Sequence, residues 1–148
     1  MGSYNEPTRL WLGPWYRKSP FFEATQEAGC KGYDIYNHML LPAGYTDWEE
    51  EYWRLKNDVT VWDVSVERQV EISGPDALPF TNMLTPRDLT NCDVGQCKYV
   101  VLTDQNGGII NDPVLSRVAE DCFWLAVADS DALLWAKGVA VFAGMDVT

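Results

Sequence analysis

Asp112 is the residue whose type fits its position least well, and it lies in the β-rich stretch from Lys98 to Val118. Asn106-Gly107 stands between two such runs and is the strongest short signal for a two-residue hairpin turn, because both central residues need positive φ. That loop sets Gln105 opposite Gly108, Val101 opposite Asp112 and Tyr99 opposite Val114. Strand side chains alternate, so Tyr99, Val101, Thr103, Ile110, Asp112, Val114 and Val118 share a face, expected to point at the core. A carboxylate there is costly unless it is paired or used. Tyr99 lies diagonal to it, at a sheet spacing of ~7 Å. A half-buried carboxylate among aromatic rings suits a positively charged ligand, through Coulomb attraction and cation–π contact. Asn111-Asp112-Pro113 reads equally well as a turn or strand end.

Other candidates are weaker. Arg68 falls on the apolar side of an alternating run and either serves a site or snorkels past the sheet edge. His38, the only histidine, reads as a hydrogen-bonded strand residue, and Tyr36 either packs or lines a pocket. Neither G-x-G-x-x-G nor G-x-x-x-x-G-K occurs, so no phosphate cradle is indicated. The formal charge of −11 and pI near 4.3 argue against nucleic acid or an anionic membrane as partner. The most apolar run, 132–145, is too short for the ~20 residues of a membrane span. Cys30, Cys92, Cys97 and Cys122 lack tight metal-ligand spacing, so no metal is expected, and reduced thiols in a cytoplasmic protein are the default.

The elements that must position these residues follow from pattern. Residues 1–18 read as an arm and residues 19–148 as the folded part. Ser19-Pro20 starts a short helix through Ala28, with Gly29 as its stop. Lys31 to Leu41 reads as one strand ending at Pro42. Thr46 to Glu49 has capping-box spacing, and Trp48, Tyr52, Leu55 and Val59 follow at helical intervals. Trp62 to Ser73 alternates as a long strand. Gly74-Pro75-Asp76-Ala77 starts a helix with Pro at its first position, which Pro79 keeps short or bends. Cys122 to Asp129 is a further strand, and Asp129 or Ser130 caps a helix through Ala143 that is apolar nearly all round and expected to be buried. Residues 146–148 read as the beginning of another strand. The order implies an α+β fold with a largely antiparallel sheet and flanking helices.

Several segments together carry a family resemblance. Val61-Trp-Asp-Val-Ser-Val-Glu-Arg-Gln-Val70, Ser73-Gly-Pro-Asp-Ala77, Gly95-Gln-Cys-Lys-Tyr99 and Gly107-Gly-Ile-Ile-Asn-Asp112 resemble the glycine cleavage T-protein (aminomethyltransferase) family. Tyr36-Asn-His-Met-Leu-Leu41, Asn111-Asp-Pro-Val114 and Ala128-Asp-Ser-Asp131 resemble its dimethylsulfoniopropionate demethylase branch. The resemblance spans residues 18–148 and implies the N-terminal portion of the T-protein-like folate-binding fold, with further domains expected beyond residue 148. It implies transfer of a methyl group from a small onium donor to N5 of tetrahydrofolate, without a metal or redox cofactor, and it admits a homodimer. By position, Asp112 would sit at the reaction centre, Tyr99 would contact the folate ring and Tyr36 would line the onium pocket. Asn111, Asp129 and Ser130 would stand at the same rim. The family's aminomethyltransferases usually carry Asp-Asp where this chain has Asn111-Asp112, which favours a demethylase over glycine-cleavage chemistry; a non-catalytic folate-binding module is the alternative from another class.

Overall fold

The computed structural model describes residue 13, residues 15–128 and residues 131–148. The chain divides into two compact units, Met1–Val66 and Glu67–Thr148.

The first unit is built on a hairpin. Strands β1 (Gly32–Tyr36) and β2 (Met39–Gly44) pair antiparallel, with Tyr36 opposite Met39. The single strand expected over Lys31–Leu41 is therefore two strands, and the second runs through Pro42. Asn37 and His38 form the turn, at φ of 49° and 59°. A two-residue turn of this hand requires positive φ at both positions, and Asn adopts it more readily than most residues. The side chain of Asn37, buried, donates from Nδ2 to the carbonyl of Val66 at 3.0 Å. Pro42 is tolerated because a two-stranded sheet has only edges.

Helix α1 (Phe22–Glu27) precedes the hairpin and ends at Gly29, whose φ is 89°. Helix α2 (Trp48–Asn57) follows it. Its cap lies one residue later than the Thr46 spacing indicates: Asp47 accepts from the N–H of Glu49 at 3.0 Å. Glu51, not Glu49, reaches back to the N–H groups of Tyr45 and Thr46, at 2.6 and 2.7 Å. No residue of α2 is buried.

The second unit holds a four-stranded antiparallel sheet in the order β3 (Gln69–Ser73), β8 (Cys122–Ala126), β7 (Val114–Ala119) and β4 (Cys97–Tyr99). The strand expected over Trp62–Ser73 is confined to β3. Asp63 accepts from the N–H of Ser65 at 3.1 Å and turns the chain there, leaving Trp62 and Val64 exposed. Arg68, read as lying on the apolar side, is exposed just before β3. One row across the sheet runs Val70, Leu125, Leu115, and all three are buried. Helix α3 (Ala77–Met83) packs on β8 and β3 from that side, where Phe80 and Leu84 complete the core with Phe123 and Leu89. Pro75 precedes α3 rather than opening it, and Pro79 sits in its first turn, where a missing N–H costs little.

Helix α4 (Ala132–Ala143) closes the unit and stops at Gly144, φ 65°. Its nearly all-round apolar surface predicts burial; only Ala132 and Ala136 are buried, whereas Leu134, Val141 and Phe142 are exposed. Residues 146–148 do pair: Ser73 and Thr148 exchange both backbone hydrogen bonds, at 2.9 and 2.8 Å.

Candidate functional site

The expected Asn106-Gly107 hairpin exists, but its turn is of another kind. Only Gly107 has positive φ, 81°. The loop is three residues long, closed by Asp104 N–H to Gly108 O at 2.9 Å and Gly107 N–H to Asp104 O at 3.1 Å. The Asp104 carboxylate accepts from the N–H groups of Asn106 and Gly108, both at 2.8 Å, which holds the loop in this form. Strands β5 (Leu102–Thr103) and β6 (Ile109–Asn111) then pair with a register shift, Thr103 opposite Ile109 but Leu102 opposite Asn111. The extra loop residue and the shift cancel, so Tyr99 pairs with Val114 as the simpler turn requires.

The register is as expected and the face is not. Val100, Leu102, Asn111, Pro113 and Leu115 are buried, while Tyr99 and Val114 are exposed and Asp112 is half-buried. Asp112 thus stands on the outer side of the sheet. Both sides of these strands carry apolar residues, and the side chosen is the one that aligns Leu115 with Leu125 and Val70. Asp112 therefore avoids the desolvation cost that its expected inward orientation would have carried.

On that outer side the Tyr99 hydroxyl donates to Oδ2 of Asp112. The Tyr99 backbone is held as well: Arg87 Nη1 donates to its carbonyl oxygen at 2.6 Å. No spacing in the sequence pointed to Arg87, which comes from the loop after α3. Asn111, the chain neighbour of Asp112, points the other way, and only 3% of its surface is exposed. Its Oδ1 accepts from the Ala128 N–H at 3.0 Å, and its Nδ2 donates to the Ala128 carbonyl at 3.2 Å.

Tyr36 belongs to the first unit, half-buried at the end of β1. That unit has an open cleft of about 740 Å³ walled by Leu41, Tyr45, Trp48, Tyr52 and Trp62, with Glu51 and Asp63 among them, and Tyr36 is not part of its lining. The N–H groups of Thr46 and Tyr45 hold the Glu51 carboxyl below the usual range. Burial raises Asp63, but hydrogen bonds from Ser19 and Ser65 outweigh it and hold that carboxyl below its ordinary value. Asp129 and Ser130 lie outside the described residues. Among the described residues no three His, Cys, Asp or Glu side chains converge to hold a metal ion, and no helix is long and apolar enough to cross a membrane.

Chemically, Tyr99 and Asp112 present an aromatic face beside an oriented carboxylate. Such a pair can support a flat heterocycle and stabilise positive charge next to it.

The architecture is the mixed α+β, antiparallel fold of the N-terminal region of a T-protein. It matches the crystal structure of glycine cleavage system aminomethyltransferase T from Bartonella henselae with a TM-score of 0.66 and 22% identity, over 89% of this chain and 37% of that one. Residues 21–143 match the GCVT N-terminal domain, and the chain belongs to that family. It is 45% identical over 131 residues to dimethylsulfoniopropionate demethylase DmdA of Ruegeria pomeroyi, covering 88% of this chain and 36% of that protein. It is 32% identical over 111 residues to an aminomethyltransferase of Thermus thermophilus, covering 75% of this chain and 32% of that protein. The chain spans about a third of the length of the curated relatives it matches.

Proposed function

We propose that the full-length protein carrying this chain transfers a methyl group from a small onium donor, of the dimethylsulfoniopropionate type, to N5 of tetrahydrofolate. The observation that carries this reading is the 45% identity to a dimethylsulfoniopropionate demethylase. The Tyr99–Asp112 pair supports it by supplying the two features the reaction needs, a ring face for the pterin and a negative charge for a cationic donor. In the step, the N5 lone pair attacks the methyl carbon and the carbon–sulfur bond breaks. The bonding pair returns to sulfur as a neutral thioether, and the methylated N5 releases its proton to solvent water. Asp112 lies where positive charge passes from sulfur to nitrogen, and its oriented carboxylate stabilises that charge throughout. The chain's main contribution is to hold donor and acceptor in line, which supplies a large part of the rate of such displacements.

The test incubates the full-length gene product with tetrahydrofolate and a panel of sulfonium, quaternary ammonium and methylamine donors. Formation of 5-methyl-tetrahydrofolate with an onium donor is the expected result. Formation of 5,10-methylene-tetrahydrofolate from an aminomethyl carrier would instead assign glycine-cleavage chemistry. Folate binding with no one-carbon transfer from any donor would refute both.

A further inference from the structure

Pro113 is buried and turns its backbone away from β8, its carbonyl accepting from the Val100 N–H at 3.0 Å, and the last β7–β8 pair is Val114 with Ala126. Beyond that pair, β8 is continued to Ala128 by a side chain: the Asn111 amide takes both the N–H and the C=O of Ala128. A primary amide presents a donor and an acceptor side by side, as a peptide group does, so Asn111 imitates a further rung of the sheet. We propose that Asn111 is a positioning residue whose two-point clip on Ala128 fixes the Asp112 carboxylate for methyl transfer. The catalytic part of this role rests on the function proposed above. The two bonds orient the amide toward the Ala128 backbone, so in this reading its contribution comes through Asp112.

The clip has a chemical signature. Aspartate at this position matches asparagine in size, but its ionised form has only acceptors and sets an oxygen against the Ala128 carbonyl. Protonated, it regains one O–H donor. The experiment compares the full-length wild type with Asn111→Asp and Asn111→Ala between pH 4.5 and 8. It measures amide-exchange protection at Ala128, the ¹³C resonance of the Asp112 carboxyl, and kcat and KM for the onium donor. At pH 8 both variants lose about tenfold or more of the protection at Ala128, as the loss of a buried hydrogen-bonded pair implies. On acidification Asn111→Asp recovers protection and Asn111→Ala does not. The Asp112 resonance shifts in both variants at pH 8, and kcat falls while donor KM stays near the wild-type value.

Wild-type protection in Asn111→Ala would overturn the clip. An unmoved Asp112 resonance, or lost protection with unchanged kcat, would overturn the positioning role, and a raised KM at constant kcat would make Asn111 a donor contact instead. If the wild type transfers no methyl group, the proposed function fails by itself. Ala128 protection and the Asp112 resonance then still decide the clip.

Discussion

Replacing Gly74 by alanine tests how residues 146–148 are fastened to the second unit. Gly74 sits at φ 125°, a conformation that side-chain-bearing residues rarely adopt. A Cβ placed there would meet the carbonyl oxygen of Asp146 at 2.7 Å and the Cα of Val147 at 3.3 Å. Both obstacles are backbone, so no flexible side chain can swing aside. Holding alanine in this conformation costs about 1–3 kcal/mol. Relief requires residues 146–148 to move, which strains the Ser73–Thr148 bonds and the bond from the Asp146 N–H to Asp76 Oδ2, 2.8 Å. Each lost bond costs roughly 0.5–1.5 kcal/mol. With all three bonds lost the expected total is roughly 2.5–7.5 kcal/mol, a large share of the ~5–15 kcal/mol that holds an ordinary domain together. Urea unfolding of the 148-residue chain, followed by circular dichroism, measures it. A double-mutant cycle with deletion of residues 146–148 separates the terms, because in the shortened chain only the backbone strain remains. A cost below about 1 kcal/mol in the intact chain, within the range of an unstrained surface substitution, would refute this account of Gly74.

Three further outcomes are expected. Asp112→Asn in the full-length protein lowers the rate of 5-methyl-tetrahydrofolate formation by about 10²–10³, as removal of one oriented charge-stabilising group does elsewhere. Because Asp112 is half-buried, stability should change by no more than about 0.5 kcal/mol. Asp63 is held below its ordinary pKa, so its contribution is present above the unfolded carboxyl value of about 3.9 and disappears as pH falls through the folded value. Ser19→Ala removes one of the bonds holding Asp63, so its Tm deficit should be full at pH 6 and shrink towards pH 3; a deficit independent of pH would contradict this. Phe123, fully buried, should cost about 3–5 kcal/mol on truncation to alanine. Phe142, 90% exposed, should cost less than about 0.5 kcal/mol in the same unfolding assay.

The contact between Tyr99 and Asp112 was legible because it depends only on alternation and register. The register came out as expected although the turn did not, since the longer loop is offset by the shift at Leu102/Thr103. The face was not legible. Val100, Leu102 and Leu115 on one side are no more apolar than Val101, Val114 and Val118 on the other, and periodicity cannot rank two apolar sides. Neither Asp112 nor Arg68 is an inward charge. Arg117 lies on the core side, stacked 5.4 Å from the Phe123 ring and bonded to the Cys92 carbonyl at 2.8 Å. Its position follows from the Glu120-Asp121 turn and the register shift before it, neither of which has a strong signal. The Asn37-His38 turn has no strong signal either, because it contains no glycine although both residues have positive φ.

The strand order has a consequence for how the second unit assembles. The β7–β8 hairpin closes locally, whereas β3 enters the sheet only by pairing with β8, Gln69 against Ala126. During synthesis at roughly 5–20 residues per second, β3 therefore waits about 3–11 s for its partner strand to be made. Until then Val70 and Ile72 stay uncovered on a strand that has no ladder to join. Helix α3 follows directly, and it needs both β3 and β8 beneath it to bury Phe80. The unit's core therefore forms cooperatively, around an inner strand of the sheet that is made well after β3.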